Sequence, residues 1–222
     1  MSSPVDPIHV VVIDDHDAIH AGIRTWCNEA TPPLHLVAAY TTTKDFTAAQ
    51  QGRSVNPDVV LLDLELKSRR PDFAAVEEIA TAGHRVIVFS HIEHDEAILR
   101  TLELGASTYI AKPEGKHHLV EAIRAAASDT PYVGPRMASA ISNDRRVGRP
   151  ALTDREQQVL LAWFRTESKD LVGQQLFISP GSVKTYLQRV RAKYAAVGRP
   201  APTKAALVAR AVQDGIISID EL

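Results

Sequence analysis

Hydrophobic and polar positions alternate in two regular ways along the first 127 residues. Five short apolar runs predict β-strands, namely IHVVVI, LHLVAA, DVVLL, RVIVFS and STYIA. Between and after them, helical spacing of apolar residues predicts helices over 18–29, 44–51, 73–82, 95–104 and 117–127. Strands that alternate with helices over short connections are typical of a parallel sheet with helices on both faces. The pattern therefore predicts a doubly wound α/β domain with five parallel strands.

The alternation stops at residue 128, where Pro, Gly, Ser and Arg become frequent. We therefore assign residues 1–128 to the first domain and 129–150 to a linker, with a short helix around 136–141. Beyond the linker every apolar segment has helical period, so residues 151–222 are predicted to form a small all-α domain of four helices.

Capping residues place the starts of these helices. Thr153 and Glu156 form a capping box at the first helix, and the second helix runs from about 169 to 176. Ser179 is the predicted N-cap of the third helix, with Pro180 at its first position. The fourth helix, in TKAALVARAVQDG, ends at Gly215.

Polar side chains follow four of the five predicted strands. Asp14 and Asp15 end the first strand, Asp63 the third, Ser90 the fourth and Lys112 the fifth. Because ligands of open parallel sheets bind beyond the carboxyl ends of the strands, we expect these groups to lie close together. Three carboxylates with oxygen ligands suit Mg²⁺, and a lysine with a hydroxyl beside them suits phosphoryl transfer to a carboxylate.

The segments VVIDDHD, PDVVLLDL, VIVFS and YIAKP resemble the receiver domain of two-component response regulators, over residues 8–127. The resemblance implies a flavodoxin-like fold and makes Asp63 the phosphoacceptor. It also implies that Asp14, Asp15, Asp63 and the backbone carbonyl of Glu65 bind Mg²⁺.

The same resemblance gives the other strand-end residues a switching role. Ser90 and Lys112 would contact the phosphoryl group, and Tyr109 would be the aromatic side chain that swings inward when Ser90 moves. The Lys112–Pro113 peptide bond would be cis.

Two departures from the receiver pattern leave other functions open. Lys67 and Ser68 stand where the family has a Met-Pro-Gly turn, and His91 follows Ser90 where a small residue is usual. His91 either screens Asp63 or lies in solvent. The alternatives are an atypical regulator controlled by a partner or ligand, and a Mg²⁺-dependent phosphatase; we expect a regulator and not an enzyme.

Charge divides the chain in the same place as the hydrophobic pattern. Residues 1–130 hold 11 Lys and Arg against 19 Asp and Glu, whereas residues 131–222 hold 14 against 8. The basic half therefore suggests a nucleic-acid partner. On its third helix one apolar stripe is predicted to be buried, formed by Val183, Leu187, Val190 and Tyr194. Four polar residues then face outward: Lys184, Thr185, Gln188 and Arg191.

Residues 152–217 resemble the LuxR-type DNA-binding domain through LTDREQQVL, LFISPGSVKTYLQRV and KAALVARAVQDGII. Together with a receiver, this resemblance implies the NarL/FixJ class of response regulators. Lys184, Thr185 and Gln188 would then contact bases. Phosphate contacts would come from Arg191, Arg189 and Lys193.

The class also implies partners. They are promoter DNA, a cognate sensor histidine kinase and a second copy of the chain in the active state. The receiver would mask the recognition helix until phosphorylation, and the last helix, near 204–214, would pair the DNA-bound domains.

Two further features bear on location and on DNA contact. The chain shows no long apolar segment and no basic leader, and its one cysteine, Cys27, excludes an intrachain disulfide, so we expect a cytoplasmic protein without membrane contact. The repeated VGRP at 147–150 and 197–200 either marks two helix starts, with Thr153 and Thr203 as N-caps, or presents an arginine to DNA.

Overall fold

The computed structural model of the protein describes residues 7–52, 56–67, 70–143, 148–166 and 168–222. Its amino-terminal half contains a five-stranded parallel sheet in the order β2-β1-β3-β4-β5. The strands are β1 His9–Ile13, β2 His35–Tyr40, β3 Val59–Leu62, β4 Val86–Ser90 and β5 Thr108–Ala111. The predicted doubly wound sheet is confirmed.

Helices follow each strand of this sheet. They are α1 Asp17–Glu29, α2 Thr43–Gln51, α3 Phe73–Thr81, α4 Asp95–Glu103 and α5 Gly115–Ala127. A short 3₁₀ helix, Lys112–Glu114, connects β5 to α5. The helix limits differ from the predicted ones by two residues at most, because frayed ends and caps decide the last turn.

Alternate residues of the strands build two separate cores. Successive side chains of a strand point to opposite faces of the sheet. Val10 and Val12 pack with Ile23 of α1 and Ile123 of α5, whereas Val11 packs in the cluster on the opposite face, with α2, α3 and α4. Each fully buried aliphatic side chain of this kind contributes ~1.5–3 kcal/mol.

The helical half contains the four predicted helices. They are α7 Asp154–Phe164, α8 Lys169–Leu176, α9 Pro180–Ala196 and α10 Lys204–Gln213, followed by a 3₁₀ turn at Ile219–Glu221. The capping box of Thr153 with Glu156 and the N-caps at Ser179 and Thr203 are confirmed. A Cβ atom on Gly173 would lie 2.6 Å from the carbonyl oxygen of Ile178, so only glycine lets α8 approach the turn before α9 so closely.

The predicted linker contains helix α6, Pro135–Asn143. Met137, Ala140 and Ile141 of α6 are buried between α4, β5 and α10. Part of the predicted linker, residues 144–147, lies outside the described residues. The apolar core beneath α4 thus continues through α6 into the helical domain.

Helix α10 packs against the first domain. Its residues Lys204 to Ala211 are all buried. The Arg210 guanidinium donates to Glu103 Oε1 of α4 at 2.5 Å, and Thr203 Oγ1 donates to the Ala106 carbonyl at 3.0 Å. The two domains therefore share a packed interface centred on α10.

Candidate functional site

Three aspartates meet at the carboxyl edge of the sheet, as predicted. Single ligand atoms of Asp14, Asp15, His16 and Asp63 all lie within 4.8 Å of one another. Asp14 and Asp63 are buried because they directly end two adjacent central strands, β1 and β3. Buried carboxylates repel each other, so the cluster needs positive charge.

Lys112 supplies one such charge. Its Nζ lies 2.6 Å from Asp63 Oδ2 and 2.8 Å from Asp14 Oδ2, and the side chain is almost fully buried. Burial opposes the charged form of Lys112, but its hydrogen bonds and charge contacts with Asp14 and Asp63 outweigh it and raise the pKa of Lys112. The lysine therefore stays protonated at the centre of the cluster.

The remaining oxygen atoms fit a hard divalent cation. Asp15 Oδ1 is buried and accepts no hydrogen bond, although the Nδ1 atom of His16 lies 3.0 Å away. Burial raises the pKa of Asp15, but the Lys67 backbone N–H and the charge of His16 lower it more, so it lies below its ordinary value. Ionised oxygen donors with spare lone pairs suit Mg²⁺.

Ser90 and Tyr109 lie next to each other behind Asp63. Ser90 is fully buried, and its Oγ atom lies beside the Tyr109 hydroxyl without a well-formed hydrogen bond. Burial raises the pKa of Tyr109 far above its ordinary value. Its ring points inward, and its hydroxyl donates to the Ile92 carbonyl in the β4–α4 loop.

The prediction of a cis Lys112–Pro113 bond is wrong. Among the described residues the one cis peptide bond is Thr31–Pro32. Pro113 instead sits in the first turn of the 3₁₀ helix, where its fixed φ and missing N–H are tolerated. The Ala111 N–H donates to Glu114 Oε2 at 2.6 Å and closes this turn without a cis bond.

The residues that depart from the receiver pattern lie beside the cluster. The Lys67 N–H donates to Asp15 Oδ2 at 3.0 Å, with Lys67 at a positive φ of 47°. Ser68 lies outside the described residues. His91 is exposed and lines an open groove of about 1050 Å³ together with Glu65 and Phe73.

Helix α9 presents its predicted polar face to solvent. The stripe formed by Val183, Leu187, Val190 and Tyr194 is fully buried, as predicted. Lys184, Thr185, Gln188 and Arg189 are exposed. The expectation that the receiver masks these residues is wrong for this structure, because the receiver packs on α10 and not on the start of α9.

Two residues of α9 do not lie where they were predicted. The Arg191 guanidinium, expected to face outward, lies 5.4 Å from the ring centroid of Trp163, in a cavity between the domains. Lys193 donates to Glu156 Oε2 at 2.7 Å and to the Ala151 carbonyl at 2.8 Å. Helical spacing gives the direction of a Cα–Cβ bond but not the partner that a long side chain finds.

Comparison with known families agrees with this geometry. Residues 10–124 match the response regulator receiver domain, and residues 150–204 match the LuxR family of bacterial regulatory proteins. The chain belongs to the response regulators. It joins a receiver domain to a LuxR-type DNA-binding domain, the domain order of NarL/FixJ-class transcriptional regulators.

Two curated relatives span most of this response regulator. It is 25% identical over 194 residues to the transcriptional regulatory protein LiaR of Bacillus subtilis, covering 84% of this chain and 90% of LiaR. It is 23% identical over 201 residues to the nitrate/nitrite response regulator protein NarL of Escherichia coli, covering 85% and 89%.

A solved structure of two RcsB dimers bound to two parallel DNAs has a similar fold. The TM-score is 0.57 at 14% identity, over 94% of this chain and 99% of the RcsB chain. At this identity the likeness concerns the fold alone. In the described part of the response regulator, no helix is both long enough and apolar enough to span a bilayer.

Sequence reasoning missed His16 and the role of α10. His16 follows the aspartate pair directly, and its backbone N–H donates to Asp14 Oδ1 at 2.9 Å. Its position directly after the two aspartates indicates that it lies beside the cluster. The docking of α10 on the receiver had no local signal, because an apolar face does not specify which surface covers it.

Proposed function

We propose that this response regulator is switched by phosphorylation of Asp63. The observation that carries this proposal is the position of Asp63, a buried carboxylate held at 2.6 Å by the Lys112 ammonium and faced by Asp14 and Asp15. A cognate sensor histidine kinase would be the phosphodonor. The proposed limits are 1–128 for the receiver, 129–150 for the linker and 151–222 for the DNA-binding domain.

The residues around Asp63 have separable roles in the transfer. Asp63 Oδ1 accepts a hydrogen bond from the Glu65 N–H at 3.2 Å, which orients the carboxylate. An Asp63 oxygen forms the new bond to phosphorus while the bond from phosphorus to the donor breaks. Lys112 and the Ser90 hydroxyl then stabilise the added negative charge.

Magnesium would be held by the carboxylates of Asp14, Asp15 and Asp63 and by the backbone carbonyl of Glu65. When bound, it neutralises charge on the transferring phosphoryl group. The chain's own contribution is to hold the three carboxylates close together. Lys112 does this for Asp14 and Asp63, and the Lys67 N–H does it for Asp15.

A short path of contacts leads from Asp63 to α10. Ser90 ends β4 beside Tyr109, whose hydroxyl holds the Ile92 carbonyl just before α4. At its other end α4 carries Glu103, which binds Arg210 of α10. Movement of Ser90 towards a phosphoryl group would therefore shift Tyr109 and α4 and loosen the α10 interface.

The output would be binding of a homodimer to promoter DNA in the cytoplasm, where the chromosome lies. Lys184, Thr185 and Gln188 would contact base edges, with Arg189, Arg191 and Lys193 at phosphates. Release of α10 would free the surface that pairs two copies on DNA. This places the regulated step at α10 and leaves the base-reading residues exposed in both states.

Phosphorylation with acetyl phosphate and Mg²⁺, measured by intact mass, tests this function. The wild-type protein should gain about 80 Da, the mass of one phosphoryl group. Asp63→Asn should gain nothing, whereas the matched control Asp17→Asn, an exposed aspartate outside the cluster, should behave like the wild type.

Each other outcome points to a different function. A wild type that gains no mass in this assay would favour an atypical regulator controlled by a partner or ligand. Label on the Asp63→Asn variant would move the phosphoacceptor elsewhere. Release of phosphate in large molar excess over protein would indicate a phosphatase.

A further inference from the structure

A cavity of about 270 Å³ lies between the two domains, on the side of the sheet away from Asp63. The receiver contributes the α3–β4 connection with Arg85, the α4–β5 connection and the end of α5, and the start of the linker contributes Asp129. The DNA-binding domain contributes Trp163, Lys169, Arg191 and the start of α10. No role in phosphorylation or DNA reading accounts for this cavity.

The walls of this cavity, which we call the interdomain cavity, carry unbalanced charge. Among the described residues, Arg85, Lys169, Arg191 and Lys204 line it, against a single acidic residue, Asp129. His84 adds a group that is neutral because burial lowers its pKa. Within the residues that the structure describes, no ion-pair partner contacts Arg85 or Lys169. Cations at this density repel each other unless an anion joins them.

Of these four cations, Arg191 has a buried hydrogen-bond donor, its Nε–H, that donates to no acceptor among the described residues. Burial lowers the pKa of Arg191, and the charge of Asp129 offsets this only in part. A guanidinium without an acceptor is unusual, because its planar donors normally bind carboxylate or phosphate oxygens.

The face of Trp163 holds two cations at once. Arg191 Cζ lies 5.4 Å and Lys204 Nζ 5.0 Å from its ring centroid. Lys204 also donates to the Thr166 carbonyl at 2.6 Å and to the Asp129 carbonyl at 2.8 Å. The ring and these carbonyls hold both cations at the wall of the cavity.

The amino terminus of α10 adds to the positive potential. Pro202, Thr203, Lys204 and Ala205 line the interdomain cavity at the start of this ten-residue helix. A helix N-terminus carries a partial positive charge and favours phosphate groups. The cavity thus combines a helix terminus, the buried Nε–H of Arg191 and two cations, Arg85 and Lys169, that form no ion pair among the described residues.

We propose that the interdomain cavity binds a compact phosphate-containing anion of about the size of inorganic pyrophosphate. Arg191 and Lys169 would bind it from the DNA-binding domain and Arg85 from the receiver. Drug-sized ligands need about 300–1,000 Å³, so the volume selects a small ligand. Several negative charges are needed because the walls supply several cations.

Such a ligand would hold the two domains together, since its contacts come from both. It would also keep Arg191 away from DNA. The consequence for DNA binding rests on the proposed function, but the binding site itself does not. In the presence of the anion, we expect weaker DNA binding by the unphosphorylated protein.

Calorimetric titration of the full chain with pyrophosphate, in Mg²⁺-free buffer of constant ionic strength, tests the site. We expect saturable binding of one anion per chain. Lys169→Gln and Arg191→Gln should each weaken it at least tenfold, as expected for a lost charge-assisted hydrogen bond. The matched controls are Lys44→Gln and Arg24→Gln, exposed cations on α2 and α1, which should bind like the wild type.

The fluorescence of Trp163, measured in a Trp26→Phe background, gives a second readout. Pyrophosphate should change its emission with the same midpoint as the calorimetric titration. Absence of saturable binding, or equal binding by Lys169→Gln, Arg191→Gln and the controls, would overturn the proposal. Purified variants with wild-type circular dichroism exclude misfolding as the cause of lost binding.

DNA affinity measured with and without pyrophosphate, with sulfate at equal ionic strength as the comparison, tests the consequence. We expect a loss of affinity for the wild type that Lys169→Gln relieves. Binding of the anion without this loss would overturn the coupling between cavity and DNA. A chain that binds the anion but no DNA at all would refute the proposed DNA-binding function and leave the site standing.

Discussion

Helices α9 and α10 belong to the same small domain, yet the receiver covers only α10 and leaves the start of α9 exposed. The first turns of α9 expose Lys184, Thr185 and Gln188. Helix α10 is buried from Lys204 to Ala211 against α4 and α6. The receiver therefore leaves the proposed base-reading surface accessible and covers the helix that would pair two DNA-bound copies.

This difference separates the recognition of DNA bases from the pairing of two chains. In the proposed function, a single chain could bind DNA through α9 while α10 is packed on the receiver, but two chains could not pair through α10 until it leaves the receiver. Because a symmetric dimer binds two half-sites at once, loss of pairing weakens binding without changing the bases that are read. Regulation at α10 should change affinity, whereas changes in α9 should change specificity.

The largest effect is expected from Glu103→Gln. Its carboxylate binds the buried Arg210 at 2.5 Å, and breaking a buried ion pair costs about 3 kcal/mol or more. The substitution destabilises only the form in which α10 is packed on the receiver. The DNA affinity of the unphosphorylated protein should therefore rise up to about a hundredfold.

The control for this variant is Arg100→Gln. Arg100 contacts the same Glu103 at 3.7 Å but is exposed, and an exposed pair contributes ~0–1 kcal/mol. Titration of labelled DNA and sedimentation of the free protein would measure the change. Equal affinities for the two variants would mean that the α10 interface does not restrain DNA binding.

A smaller effect, with a different signature, is expected from Lys184→Ala. Loss of a base contact costs about 1–3 kcal/mol at one base pair and relaxes specificity there. Arg191→Ala should weaken specific and scrambled DNA alike and lower the salt slope by about 1. Affinities for both DNAs over a salt series would distinguish them. The reverse pattern would show that α9 sits differently in the groove.

His91→Ala addresses the receiver and is expected to change rates a few-fold. If His91 screens Asp63, its removal should speed both phosphorylation by acetyl phosphate and loss of the phosphoryl group. Time courses of intact mass would give both rates. Since His91 is exposed beside Glu65 in the open groove, unchanged rates would mean that its ring stays in solvent.

The smallest effect concerns how α9 is anchored within its own domain. Burial raises the pKa of Glu156, but Lys193 and the Thr153 N–H lower it more, and the net pKa is below its ordinary value. A lowered carboxyl pKa stabilises the folded state above the ordinary pKa, and this is lost as the pH falls through the folded-state value. Thermal unfolding between pH 7 and pH 3 should therefore show a flatter pH dependence for Glu156→Gln than for wild type.

Local patterns predicted the fold and the cluster of aspartates at the edge of the sheet. Strand alternation placed Asp14, Asp63 and Lys112 correctly, because the carboxyl ends of parallel strands share one edge of the sheet. The helix N-caps Thr153 and Ser179 are also predictable from the sequence, since a few neighbouring residues determine each cap.

Sequence patterns did not predict the contacts of long side chains whose partners lie far away in the sequence. The Arg191 guanidinium lies over the ring of Trp163. The arginines of the two VGRP repeats lie in different environments. The Arg199 guanidinium is buried against Asp214 at 2.7 Å, whereas Arg149 is largely exposed. Both repeats come just before helix starts, where Thr153 caps α7 and Thr203 caps α10, as the helix-start interpretation expects. No spacing in the sequence distinguishes these environments.

The buried Arg210 and the half-buried Thr203, which both bond to the receiver, also give the opening of the domain interface a time scale. These polar groups leave their receiver partners before water or a second copy can replace them, so the domains separate over a barrier. Domain motions of this kind take microseconds to milliseconds. In the proposed switch, a phosphoryl group on Asp63 would have to outlast that opening, and the α10 interface would thereby set the shortest phosphoryl lifetime that can carry a signal.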